Sequence, residues 1–363
     1  MKSKCTKILL ILVIVLSGMN KLWAQPCLEN PYTKKGTWVH EKDGGFNYNN
    51  AHPEALKNKK NISAVLDSIA GLLMKYNPQP EGSYAKWIKL LKTDIDSVSS
   101  PDPSFANYEI ESWFLPYVCN KGVVEPFNAT DTWLYVDVND YWCSGHTLQH
   151  EMNSALGERL FTLPPQRGTL GGYPVFEPVP KGEKDDPWLI FYSVLVHKPG
   201  KLPYVPVTKA EFFELNRKLI EVKEKEYKAG IERQRKNMGE DWYTERADQI
   251  KKQFQGMRDN LEQLMKLYEK ELNQPAILRE WEWTIRGIEI ANPTQKNLFT
   301  TANRGYQLVR ANPDYMEKTQ AKWKPQFIWV EWFKVVGKPN SEALDKVMHE
   351  QFDFKELGKL LTH

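Results

Sequence analysis

His146 and His150 stand four residues apart, with Glu151 directly after the second. On a helix this spacing puts two imidazoles on one face with a carboxylate beside them, so His146, His150 and Glu151 form a candidate metal set. Zinc proteases place their glutamate directly after the first histidine or directly before the second, but those positions hold Thr147 and Gln149. The catalytic base of either motif is therefore out of place. In an extended chain the two histidines would still share a face, about 13 Å apart. Cys143 could serve as a nucleophile with either histidine as its base, although in an oxidising compartment a disulfide is its more ordinary fate.

Paired carboxylates offer a second chemistry, since glycoside hydrolysis needs two acids held at a fixed separation. Asp131, Asp137 and Asp140 flank an aromatic strand, and Glu280, Glu282 and Glu331 alternate with Trp281, Trp283, Trp329 and Trp332. Such alternation also describes a half-exposed antiparallel strand with no chemistry at all. The four tryptophans are the candidate ligand-binding residues, because neighbouring strands could set them on one surface as a flat platform. Gly168-Thr169-Leu170-Gly171-Gly172 lacks the Lys-Ser/Thr that completes a phosphate loop, and no Gly-x-Ser-x-Gly elbow occurs. No cofactor is expected.

The elements that must position these groups divide the chain into five stretches. Residues 1–24 read as a cleavable signal peptide: Lys2, Lys4 and Lys7 precede an apolar run from Ile8 to Leu16, too short for a membrane span, and Ala24 offers the cleavage point. Residues 25–105 read as an N-terminal helical region. Ile62, Val65, Leu66, Ile69, Leu72, Leu73 and Tyr76 recur at helical spacing, and a second helix is expected after Ser83 from Tyr84, Trp87, Ile88, Leu91 and Ile95. Residues 106–207 carry short β-branched and aromatic runs punctuated by Gly and Pro, the first half of a β-rich body. Lys198-Pro199-Gly200-Lys201 should close a hairpin between the Trp188 run and Leu202–Val207.

Residues 208–274 read as an inserted helical hairpin. Thr208 and Glu211 form a capping box, and Phe212, Leu215, Leu219 and Val222 continue at helical spacing. The apolar seam fails between Glu226 and Tyr243, so two antiparallel helices should join near Gly239. Their 15 basic and 14 acidic residues between Lys209 and Glu271 describe a solvated surface, with a coiled-coil character. Residues 275–363 return to strands, with runs at Ile277–Ile290, Gly305–Arg310 and Gln326–Val336, and close with amphipathic helices. The fold class expected is α+β, an antiparallel β-rich body with N-terminal helices and a long helical hairpin inserted into it.

Removing the signal changes the balance of the chain. The formal charge of +3 includes four lysines and no acid before Ala24, so the remainder carries −1, without the clustered positive field that nucleic acid would need. No transmembrane segment remains. Cys5 leaves with the signal, and of Cys27, Cys119 and Cys143 the expected disulfide is Cys119 with Cys143, which share a strand-rich region. Cys27 is then a lone thiol; Gln25-Pro26 ahead of it lack the small residues that lipidation requires.

The signal ending at Ala24-Gln25, the passage Leu202-Pro-Tyr-Val-Pro-Val-Thr208, Asn312-Pro313-Asp314-Tyr315 and Pro325-Gln326-Phe327-Ile328 together resemble uncharacterised secreted proteins of Gram-negative bacteria. The resemblance implies a periplasmic or secreted location and no activity. The function expected is a non-enzymatic binding or scaffold protein, acting on a protein or glycan partner outside the cytoplasm through the helical hairpin and the aromatic strands. A secreted hydrolase of glycans or peptides and a carbohydrate-binding module are the alternatives.

Overall fold

The computed structural model describes residues 26–41, 51–92, 104–141, 147–178, 188–312 and 314–361. In chain order the strands are β1 (Trp38–His40), β2 (Ser83–Leu91), β3 (Tyr108–Asn120), β4 (Val123–Pro126), β5 (Trp133–Val138), β6 (Thr147–Leu148), β7 (Leu160–Leu163), β8 (Gln166–Leu170), β9 (Tyr173–Phe176), β10 (Leu189–His197), β11 (Tyr204–Pro206), β12 (Ile277–Leu278), β13 (Tyr306–Ala311) and β14 (Phe327–Val335). The helices are α1 (Pro53–Lys57), α2 (Lys59–Tyr76), α3 (His150–Leu156), α4 (Lys209–Met238), α5 (Glu240–Leu267), α6 (Ile285–Ile290), α7 (Pro339–Glu350) and α8 (Phe354–Gly358).

Two sheets result, a large one in the order β1-β2-β3-β5-β14-β10-β9-β8 with β4 paired to β3, and a small one in the order β11-β13-β7-β6 with β12 paired to β13. They stack between helices in four layers, because each sheet has two apolar faces to cover. On the first face of the large sheet, Ile110, Val136, Val194, Val330 and Trp332 meet Ile62, Leu66 and Ile69 of α2, Leu344 and Met348 of α7, and Leu357 of α8. Its second face meets the small sheet through Phe176, Leu195, Phe327 and Trp329 against Phe161, Leu163 and Val309. The far side of the small sheet, with Leu160 and Leu308, is covered by α3 to α6. The α+β class is thus as the sequence implied, with helices on both outer sides.

Thr208 caps α4 as expected: its hydroxyl accepts from the Glu211 amide at 3.2 Å, and the Glu211 carboxylate accepts from the Thr208 amide at 2.8 Å. Helices α4 and α5 span 30 and 28 residues, about 45 and 42 Å, and meet at Gly239, whose φ of +90° suits a residue without a Cβ. Both ends of the insertion are stitched together, the Lys209 amide donating to Gln274 at 2.9 Å and the Ala276 amide to Val207 at 2.8 Å. Phe212, Leu219, Phe254 and Leu261 bury the root of the hairpin in the body, whereas between Glu226 and Tyr243 Ile231 is the buried side chain.

Four expectations are corrected. The stretch after Ser83 is strand β2, paired over nine residues with β3; Trp87, Ile88 and Leu91 satisfy a helical period, but burial alternates strictly along it and Lys89 and Ala85 share the inner face. The Pro199-Gly200 turn forms, with Gly200 at φ +78°, yet it carries the chain from β10 in the large sheet to β11 in the small one and closes no hairpin. Within Ile277–Ile290 only the first two residues are strand, and Ile285–Ile290 is helix α6. The disulfide joins Cys27 to Cys119, not Cys119 to Cys143: the N-terminal segment lies beside the end of β3 and brings the Cα atoms within 5.8 Å. Cys143 lies outside the described residues, as do residues 1–24, the expected signal peptide.

Candidate functional site

Side chains alternate along each strand, so every second residue of β3, β5, β14 and β10 faces away from α2. Register then sorts them into rows. The inner row is Glu109, Asp137, Trp329 and Leu195, of which Trp329 and Leu195 are buried under the small sheet. The middle row is Glu111, Tyr135, Glu331 and Ser193. Beyond the reach of the small sheet lies the outer row, Trp113 and Trp133, then Phe333 and Phe191.

Those outer rings are half-buried and continuous. Trp113 meets Trp133 edge-on at 5.8 Å, Trp133 lies parallel to Tyr135 at 6.1 Å, Tyr135 reaches Phe333 at 5.8 Å, and Phe333 meets Phe191 edge-on at 4.7 Å. An aromatic shelf thus crosses four adjacent strands at the edge of the inter-sheet core. Tyr135 and Glu111 stand directly opposite each other in register within it. Burial, and then the charge of Glu109, pushes the Glu111 carboxyl above its ordinary range. Burial likewise lifts the Tyr135 phenol, reinforced by Glu111 and Glu331, so it remains a neutral donor.

Below the shelf the inner acids gather around one cation. Lys92, just after β2, places its Nζ 2.7 Å from Glu109, 2.7 Å from Asp137 and 3.2 Å from Asp140. Burial opposes the lysine's charge, but the three carboxyls outweigh it and hold Lys92 protonated. Burial works against Glu109 too, but Lys92 brings that carboxyl below its ordinary range, whereas burial pushes Asp137 well above its own, with the Glu109 charge adding to the push. An ammonium occupies the space that a metal ion would need. Among the described residues no three His, Cys, Asp or Glu side chains are arranged to hold a metal.

No family model, curated protein or solved structure matches this chain. Its chemistry rests on the geometry of its own residues.

Of the carboxylates singled out in the sequence, Asp137 and Asp140 converge on Lys92, and Asp131 lines a separate cleft of about 710 Å³ beside the disulfide, with Tyr32, Tyr117, Phe127 and Lys338. Glu280 and Glu282 are exposed on the segment between β12 and α6. His146 lies outside the described residues. His150 is exposed in the first turn of α3, and Glu151 has a structural task, its carboxylate accepting the Ile285 amide at 2.7 Å at the start of α6.

The tryptophan platform of the sequence reading is overturned. Trp329 and Trp332 are fully buried on opposite faces of β14, one between the sheets and the other under α7, where its Nε1 donates to Asp345 at 3.0 Å. Trp283 is buried at the hairpin root with its Nε1 donating to Asn216 at 2.8 Å, and Trp281 is exposed on that far side of the small sheet. The four share no surface. The shelf instead uses Trp113, Trp133 and Tyr135, which the sequence marks only by the alternation Glu-Ser-Trp and Trp-Leu-Tyr, whose intervening Ser112 and Leu134 are buried.

Proposed function

We propose that this chain is an exported, non-enzymatic glycan-binding protein that holds its ligand on the shelf of Trp113, Trp133, Tyr135, Phe333 and Phe191. The observation that carries the reading is the unbroken run of half-buried rings across four strands. Rings meant only for a core are covered, as Trp329 and Trp332 are; rings left half-open beside hydrogen-bonding side chains present a stacking surface for the C–H faces of sugars. Glu111 adds an acceptor for sugar hydroxyls at the margin of that surface. Export is supported by the basic and apolar N-terminus ending at Ala24 and by the Cys27–Cys119 disulfide, a bond that persists in oxidising compartments. No described helix is long and apolar enough to cross a membrane.

The hairpin gives this protein a second contact surface. Tyr227 and Trp242 border a shallow groove of about 400 Å³ on its outer half, and we assign it to a protein partner, in keeping with a scaffold role. A glycan microarray, followed by affinity electrophoresis in the polysaccharides that score, tests the main reading. Trp113→Ala and Trp133→Ala should each abolish retardation while the thermal midpoint stays within a few degrees; retardation equal to that of the parent in both would remove the shelf from the function.

A further inference from the structure

The first face of the large sheet, under α2 and α7, carries a cavity of its own. It measures about 330 Å³ and opens where the end of α2 and the side of α7 meet the start of β2, within the range of small-molecule sites, about 300–1,000 Å³. Ser83 lines it. As the first residue of β2, Ser83 alternates onto the same face as buried Ala85 and Trp87, the face that α2 and α7 cover. It is 1% exposed, and its hydroxyl has no hydrogen-bond partner among the described residues. A hydroxyl buried in this way destabilises the fold until something bonds it, and the cavity is the side from which a bond can come.

The other polar groups of the wall are chiefly amides. Asn77, Gln79 and Gln351 each bring donors and an acceptor, while Phe114 and Leu344 supply apolar surface. Buried Asn340 ties α7 to the sheet, its Nδ2 donating to Thr132 Oγ1 at 3.2 Å and to the Phe114 carbonyl at 3.4 Å. The loop from Asn77 to Glu81 is fixed before a ligand arrives. Pro78 and Pro80 each lock a backbone angle, the Trp38 indole donates to the Asn77 carbonyl at 2.6 Å, and the Gly36 amide donates to the Pro80 carbonyl at 2.9 Å. The charged groups of the lining, Lys35 bonded to Glu81 at 2.5 Å and Lys346, lie toward solvent. A charged ligand group would enter among neutral partners, whereas sugar hydroxyls donate and accept as the amides and Ser83 do, and sugar C–H surface matches the apolar floor.

We infer that this cavity binds one neutral sugar residue, as a free hexose or as the end of a glycan, with Ser83 Oγ bonding a sugar hydroxyl. It lies on the face of the large sheet opposite the aromatic shelf and does not rest on the reading of that shelf.

Saturation-transfer NMR on the full chain with glucose, galactose, mannose and their uronic acids tests it. At least one neutral hexose should show transfer and bind more tightly than its uronic acid. Ser83→Ala should weaken that hexose ~5-fold, the loss of about one hydrogen bond. Its thermal midpoint without sugar should equal or exceed the parent's, because the substitution removes an unpaired buried hydroxyl. Ala343→Phe, which fills the cavity from α7, should abolish transfer, and Trp133→Ala on the shelf should leave it unchanged. A trisaccharide ending in the same sugar separates the sources: affinity equal to the hexose's or higher marks a glycan end, a loss of affinity marks a free sugar, and the site stands in both. The inference is overturned if no neutral hexose shows transfer, if a uronic acid binds more tightly, if transfer persists unchanged in Ser83→Ala, if that variant loses more than a few degrees of midpoint, or if Trp133→Ala abolishes the signal. Should Ala343→Phe fold poorly, Ser83→Ala, which deletes a single oxygen, decides the matter.

Discussion

Lys92 Nζ lies 2.7 Å from the carboxyl of Asp137, at the point where the end of β2 meets the inner rows of β3 and β5. The contact joins three strands through a single ammonium, and Glu109 and Asp140 complete the set. Burial raises the Asp137 pKa well above its ordinary value, with the Glu109 charge adding to the rise, so its charge is the one the cluster holds least firmly.

Lys92→Met should therefore destabilise the protein by about 3–5 kcal/mol, the cost of leaving buried carboxylates without their cation. Asp137→Asn, which keeps the shape and removes a carboxyl whose charge burial already disfavours, should cost about 1 kcal/mol or less. Urea denaturation of the two variants side by side checks the ordering, and equal losses would mean that Asp137 is ionised.

Asp345 receives the Trp332 indole at 3.0 Å, Lys334 at 2.9 Å and His349 at 3.0 Å. Burial opposes its charge, but these donors prevail and bring its pKa down to about 2. A depressed carboxylate stabilises the fold above its unfolded value of 3.8 and loses that contribution as pH falls through about 2, a change of about 2 kcal/mol. Asp345→Asn should flatten the stability curve between pH 4 and 2. His349 runs the other way: its bond to Asp345 raises its pKa above 6.5, so its contribution is complete below that pH and is lost as pH rises through the folded value.

Linking Cys27 to Cys119 closes a loop across a sequence separation of 92. Cys119→Ser should cost about 3–4 kcal/mol, chiefly through the greater freedom of the unfolded chain. Peptide mapping without reductant should recover the two cysteine peptides as one species, and a Cys119–Cys143 species in the folded protein would contradict the pairing.

Root and tip of the helical hairpin should respond differently. Trp283→Phe removes the donor to buried Asn216 and should cost about 1–3 kcal/mol. Replacing the tip between Glu226 and Tyr243 by a short turn should leave thermal unfolding cooperative and glycan retardation intact, because that segment contributes little to the core. Calorimetry and affinity electrophoresis on the two variants make the comparison.

Part of this architecture is legible in local sequence alone. The capping box at Thr208 and Glu211 depends on residues three apart, and the helix joint depends on a failing seam and one glycine; neither needs distant partners. β2 misleads because Trp87, Ile88 and Leu91 satisfy a helical spacing as well as they fit a strand, and only nine pairings with β3 decide between the two. The tryptophans misled for a different reason. Trp329 and Trp332 are an odd number of residues apart, so one strand must send them to opposite faces, and which outer face stays open depends on how far the small sheet extends over the large one. The Cys27 pairing depends on where the N-terminal segment runs, which no local spacing encodes.

The stitched base of the hairpin gives the molecule a cantilever. A load at Gly239 acts at the end of a beam whose clamped root holds Phe212, Leu219, Phe254 and Leu261, and whose outer span between Glu226 and Tyr243 is largely exposed. The aromatic shelf belongs to the large sheet, with the small sheet between that sheet and the clamp. If tip and shelf each take a partner as proposed, the small sheet and the clamped root stand between the two loads.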